Sequence, residues 1–168
     1  MPMATLISIP VFALLMILQS SLFSRIPLLY GTLDLFLLVL AAWALQKRVQ
    51  TAWQWSIVAG LIFNFVSALP LGAPLIGYGL STGIALALRR QVWQYPLLAM
   101  FAAVFFGTLI THAVSLTALR LVGHPIPVLE AFNLITLPSL LLNLMLAAPA
   151  YALIGDLAAR LYPEPLES

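Results

Sequence analysis

The stretch Gly60-Leu-Ile-Phe-Asn-Phe-Val-Ser-Ala-Leu-Pro-Leu-Gly-Ala-Pro74 places one asparagine inside an apolar run and follows it with a turn that carries two prolines and a glycine. Proline stops a helix and glycine supplies the backbone conformations that tight turns need. The stretch therefore predicts two apolar helices joined by a short turn. Because a carboxamide in apolar surroundings needs a hydrogen-bond partner, Asn64 becomes a candidate for a structural or functional role.

The composition of the whole chain points to lipid as its solvent. Of the 168 residues, 63% are hydrophobic and only 7% are charged, and the mean hydropathy is +1.09. A soluble domain carries about 25% charged residues. So few charges cannot cover a water-facing surface, and we expect residues 1–168 to form a single polytopic domain of an all-α integral membrane protein.

Six segments meet or approach the length of about 20 apolar residues that a helix needs to cross the hydrocarbon core. They are about 5–24, 28–46, 53–70, 74–89, 94–119 and 134–158. We interpret the first as an uncleaved span, because no Lys or Arg precedes it and no small-residue cleavage site follows it. A short interfacial helix is expected at 128–132. The sequence thus predicts a bundle of about six transmembrane helices.

Basic residues predict the orientation of this bundle. Cytoplasmic loops collect Lys and Arg, and indole rings prefer the membrane boundary. An N-in/C-in arrangement puts Arg25 and Arg120 outside and the other five basic residues inside, namely Lys47, Arg48, Arg89, Arg90 and Arg160. The four tryptophans, at positions 43, 53, 55 and 93, fall near the same predicted inner boundary.

Several function classes are disfavoured by what the sequence lacks. A net charge of +2 without a basic patch does not favour nucleic-acid binding. The absence of cysteine excludes disulfides and thiolate chemistry. No nucleophile elbow, zinc-protease, P-loop or dinucleotide-binding motif occurs. We therefore expect no catalytic, cofactor-binding or metal-binding residues, and a protein that is not an enzyme.

Small and polar residues recur every four positions within the predicted spans, as in Ser56, Gly60 and Asn64. The fourth span carries two such ridges, one with Gly77, Ser81 and Ala85 and one with Gly79, Gly83 and Ala87, so we expect it to pack between neighbouring helices. Such ridges let helices approach closely and form hydrogen bonds across the interface. The candidates for helix packing or partner contact are Asp34, Asn64, Pro70, Gly72, Gly79, Gly83, His112 and Asn143.

Two interpretations of these candidates remain open at this point. The first is that they only hold helices together. The second is a ligand cavity lined by Asn64, His112 and Asn143. A proton relay is disfavoured, because a relay needs several ionisable groups in series and His112 stands among threonines.

Three motifs resemble the rod shape-determining protein MreD family. An aspartate opens the oily second helix in Gly31-Thr-Leu-Asp-Leu-Phe-Leu-Leu-Val-Leu40, and the glycine-containing third helix ends in the Pro-Leu-Gly turn of 60–72. The fourth helix runs from Gly77-Tyr-Gly79 to Arg89-Arg90. The chain departs from the family pattern at Asn64, where aspartate is more usual.

The resemblance implies a non-enzymatic scaffold of the bacterial cell-elongation complex, in the inner (plasma) membrane, which supports sidewall peptidoglycan synthesis and cell shape. Its implied partners are MreC, then a RodA-type glycosyltransferase with its penicillin-binding transpeptidase, with membrane lipid around them.

The implied fold is similar to the substrate-binding subunits of energy-coupling-factor transporters, which supply the alternative function of vitamin uptake. Those subunits usually carry an A-x-x-x-A patch in the first helix, and the segment 11–20 lacks it.

Overall fold

The computed structural model describes residues 2–23, 31–91, 94–124 and 126–163. Within these ranges the chain forms helices and no strand. In chain order they are α1 (Pro2–Phe23), α2 (Leu35–Leu45), α3 (Ala52–Val66), α4 (Ala73–Gln91), α5 (Pro96–Leu121) and α6 (Val128–Leu161). The all-helical fold class is confirmed for this part of the chain.

Three of these helices are long and apolar enough to cross a membrane, namely α1 over Met3–Ser21, α5 and α6. The second and third predicted spans are shorter than expected. Helix α2 has 11 residues, about 16 Å at 1.5 Å per residue, against about 30 Å of hydrocarbon core. The prediction of a continuous span over 28–46 is therefore wrong for its described part, since residues 31–34 are not helical.

Helix α2 is the central element of the fold. Every residue from Phe36 to Leu45 is buried, and α2 packs against each of the other five helices. A helix that is hydrophobic all round belongs in a core or in a membrane. The hydropathy of α2 therefore resembles that of a membrane-spanning helix. Its short length and its burial among the other helices identify it as a core helix.

At one end of the molecule, which we call the Arg89 end, a guanidinium joins α4 to the loop that follows α2. Arg89 Nη1, at the end of α4, donates to the carbonyl oxygens of Gln46 and Val49, both at 2.9 Å. The last carbonyls of a helix have no partner within it. Arg89 therefore fixes the loop that follows α2.

The tryptophans do not all form a boundary belt. Trp43 and Trp55 are fully buried and stack with ring centroids 4.0 Å apart. Their N–H groups donate to Thr51 Oγ1 and to the carbonyl of Ala4. The interfacial interpretation is thus wrong for these two residues. Trp53 is half exposed, and Trp93 lies outside the described residues.

The last helix begins earlier than predicted. The expected short helix at 128–132 continues without a break into the expected span at 134–158, through a π-helical turn at Phe132–Thr136. Pro138 follows this turn. Proline lacks an N–H and crowds the carbonyl four residues earlier, and a widened turn relieves that conflict. The π-helical turn therefore takes the place of the predicted break.

Small residues act as the ridge pattern predicts on one face of α4. A Cβ atom at Gly77 would lie 3.4 Å from Cα of Thr111 in α5, and one at Gly107 would lie 2.8 Å from Leu37 in α2. Helices α2, α4 and α5 therefore approach one another closely, and the interpretation as packing residues holds for this face.

Candidate functional site

The chain enters α2 through an extended segment, residues 31–34, that lies against α6. A Cβ atom at Gly31 would lie 2.5 Å from Cβ of Pro138, which only glycine avoids. Because the first N–H groups of a helix have no partner within it, side chains from other elements must supply acceptors. The backbone donors at 32, 34 and 35 bind Ser139 Oγ at 2.8 Å, Asn143 Oδ1 at 2.8 Å and Gln19 Oε1 at 3.2 Å.

Asp34 caps the buried start of α2. Its Oδ1 accepts from the N–H of Leu37 at 2.9 Å, a standard N-cap bond. The hydroxyl of Tyr78 in α4 donates to both carboxylate oxygens, at 3.0 and 3.2 Å. The carboxylate is therefore held in one orientation by groups from two helices.

Asn143 joins three elements. Besides accepting from the N–H of Asp34, its Nδ2 donates to Thr108 Oγ1 in α5 at 3.0 Å. The side chain is fully buried, and its bonds serve the backbone of the α2 entrance. The packing interpretation therefore fits Asn143.

His112 joins α5 to the π-helical turn. Its Nδ1 lies 3.0 Å from the Oγ1 atom of Thr136. Thr136 is the last residue of that turn. A π-helical turn often marks a functional site. It places Thr136 where it orients the imidazole ring.

A cavity of about 230 Å³, with several polar side chains in its lining, lies beside these groups, at the end of the molecule where α2 begins. We call it the head cavity. Its polar lining residues are Gln19, Thr32, Asp34, Ser67, Tyr78, Thr111, His112 and Ser115. Among the three residues predicted to line a cavity, only His112 does so. Asn64 and Asn143 are not in the lining.

Asn64 instead holds the turn between α3 and α4. Its Oδ1 accepts from the N–H of Gly72 at 2.8 Å. Gly72 has a φ of +91°, a conformation that favours glycine. The carbonyl of Pro70 accepts from the N–H of Ala73 at 3.1 Å. Asn64, Pro70 and Gly72 therefore form one local turn. These three residues do not line the head cavity, although Ser67, Leu69, Ala73 and Pro74 of the same connection do.

Gly79 and Gly83 lie on the outward face of α4. A Cβ atom at Gly79 would meet nothing within 4 Å. Together with Trp53, Ile76, Leu80, Ile84 and Ala87 they line an open groove of about 500 Å³, which we call the α4 groove. Within the described chain no helix packs over Gly79, whereas a Cβ atom at Gly83 would lie 3.4 Å from the Trp53 ring of α3. The expectation that both ridges of α4 pack within the bundle is therefore wrong at Gly79.

Of the eight polar residues of the described chain that line the head cavity, the candidates from the sequence included only Asp34 and His112 and missed the other six, among them Gln19 and Tyr78. Gln19 is the one carboxamide of α1, and a carboxamide in an apolar helix was the signal that singled out Asn64. Among the described residues, no group of three His, Asp or Glu side chains is placed to hold a metal ion.

No family model, no curated protein and no solved structure matches this chain. The resemblance to the MreD family therefore rests on the quoted motifs alone.

Proposed function

We propose that this protein is a non-enzymatic, multi-pass scaffold of the bacterial inner membrane that holds the transmembrane helix of a partner in the α4 groove. The groove is the single observation that carries the proposal. Small residues four apart let two helix backbones approach closely in lipid, where van der Waals packing drives association. Gly79 and Gly83 have this spacing, and Gly79 faces away from the rest of the described chain.

One face of α4 is covered by other helices of this chain and the other is more open, which supports the binding of a partner helix on the open face. Gly77, Ser81 and Ala85 are buried, and Gly77 lies against Thr111 of α5. The opposite face has glycines at the same spacing, of which Gly83 lies beside Trp53 of α3, whereas a Cβ atom at Gly79 would have no described atom within 4 Å. A face built for close helix packing thus remains open for a helix from another chain.

The quoted motifs supply the identity of the partner. The resemblance to the MreD family suggests MreC, a single-span protein, in the groove. It further suggests a RodA-type glycosyltransferase and its penicillin-binding transpeptidase in a larger complex that elongates the cell. In this arrangement the Arg89 end faces the cytoplasm, as the basic residues predict.

Capture of the MreC-type protein of the same bacterium, in mild detergent, tests the proposal. Gly79→Leu should lower the captured amount about tenfold or more, because the added side chain fills the groove and keeps the partner backbone away. The fold should survive, since nothing lies within 4 Å of the added Cβ.

Ala152→Leu, at an exposed position on α6, is the matched control and should retain the partner. Equal capture by the wild type and Gly79→Leu would show that the α4 groove does not bind the partner.

The head cavity favours one alternative, a substrate-binding subunit of a vitamin uptake transporter. Mass spectrometry of the denatured protein separates the two functions. A stoichiometric vitamin in the spectrum, with no MreC-type protein captured, would replace the scaffold by the transporter subunit.

A further inference from the structure

The head cavity adjoins a second cavity whose lining is more apolar. This second cavity, which we call the tail cavity, measures about 480 Å³ and lies between α5 and the first turns of α6. The two cavities share Thr32, Leu69, His112 and Ser115 in their linings. They therefore meet along one boundary, and one molecule can extend across both.

The tail cavity is lined mostly by apolar side chains. They are Leu109, Ala113, Leu116 and Leu119 from α5, and Val128, Ala131, Phe132 and Ile135 from α6, with Leu69 and Ile126 from the connecting loops. Such a lining gains free energy by covering hydrocarbon and offers no partner to a polar group.

The head cavity is built to bind a polar group in a defined orientation. Asp34 is held by the Tyr78 hydroxyl and the Leu37 N–H, and His112 is held by Thr136. A site whose polar groups are already oriented loses little entropy when a ligand binds. The tail cavity, at about 480 Å³, falls within the range of about 300–1,000 Å³ that is typical of small-molecule sites, whereas the head cavity, at about 230 Å³, is smaller than that range.

We propose that the two cavities together bind a single-chain amphiphile, with its polar head in the head cavity beside Asp34 and His112 and its apolar chain in the tail cavity. This site is independent of the α4 groove and of the scaffold role.

The charged residues in the lining indicate which charge the ligand's head group should carry. Among the described residues, Asp34 is the only acidic residue in either lining, and neither lining contains a Lys or Arg from this part of the chain. A carboxylate acceptor binds a head that donates hydrogen bonds, and binds it most strongly when that head is cationic. An anionic head would meet the carboxylate without a cation to offset the repulsion. The preferred order is therefore amine, then hydroxyl, then carboxylate.

Photo-crosslinking of the full chain in phosphatidylcholine nanodiscs tests this site. The probes are three alkyl chains of equal length, each with a diazirine in the chain and with an amine, a hydroxyl or a carboxylate head. Peptide mapping should place the adducts on segments 109–119 and 126–136. The amine probe should label these segments about tenfold more than the carboxylate probe, as expected for a charge-assisted hydrogen bond.

Two variants separate the head from the tail. Ala113→Phe fills the tail cavity and should reduce labelling by all three probes several-fold, whereas Ala87→Phe makes the same change in the α4 groove and should not. Asp34→Asn removes the charge while keeping an N-cap residue, and should abolish the preference for amine over hydroxyl.

Adducts spread evenly over the lipid-facing surfaces of α1, α4 and α5 would overturn the proposal, as would equal labelling of Ala113→Phe and Ala87→Phe. Equal labelling by all three probes in the wild type would overturn the assigned head group. If Asp34→Asn does not fold, the comparison of the three probes and the comparison of Ala113→Phe with Ala87→Phe still test the proposal. Capture of the partner by the scaffold is measured separately, so the two proposals can fail independently.

Discussion

At the scale of single residues, Asn64 shows what a sequence can and cannot reveal about a polar group. A carboxamide in an apolar helix must find a hydrogen-bond partner, which made Asn64 a candidate. Its helical spacing suggested a partner on another helix. The partner is instead the N–H of Gly72, in the turn that follows the same helix, because the positive φ of Gly72 directs the chain back toward α3.

Replacing Asn64 tests this role. Asn64→Leu should lower the free energy of unfolding by about 1 kcal/mol, since the Gly72 N–H loses its acceptor. Asn64→Asp keeps an acceptor oxygen and should be tolerated. The measurement is thermal unfolding in detergent. Unchanged stability of Asn64→Leu, together with loss of the captured partner, would make Asn64 an interface residue instead.

At the scale of secondary structure, the sequence predicted helices and their close packing better than it predicted their roles. Apolar run lengths and turn residues located all six helices, and the ridge containing Gly77 packs as expected. The role of α2 was missed because a buried core helix and a lipid-facing helix have the same hydropathy. Only the tertiary structure reveals that Asn143, more than a hundred residues away, caps the start of α2.

We therefore expect the stability of the start of α2 to depend on Asn143. Asn143→Leu leaves the N–H of Asp34 and the hydroxyl of Thr108 without their partner in a buried site. Each such loss costs about 1–3 kcal/mol, so the protein should unfold at a clearly lower temperature. Asn133→Leu, the same change at an exposed position of α6, is the matched control and should leave the midpoint nearly unchanged. Equal midpoints for the two variants would contradict the capping role.

At the scale of the whole molecule, polarity divides the protein into two ends. The Arg89 end carries Lys47, Arg48, Arg89 and Arg90, whereas the opposite end carries Asp34 and the head cavity. The charge pattern along the sequence predicted this division, because it depends on chain order and helix direction alone. The cavities were not predictable in the same way. They arise where the entrance to α2 and the π-helical turn of α6 meet α5, and neither feature has a sequence period.

The division predicts which end faces the cytoplasm. The chain has no cysteine, so single cysteines can be labelled in intact cells with a membrane-impermeant maleimide. Exposed positions are required, and Thr51 is unsuitable because it is buried and bonded to Trp43. Gln50 at the Arg89 end and His124 at the opposite end are both exposed. His124→Cys should be labelled in intact cells, and Gln50→Cys should be labelled only after the membrane is permeabilised. Labelling of Gln50→Cys in intact cells would reverse the orientation and, with it, the side from which an amphiphile reaches the head cavity.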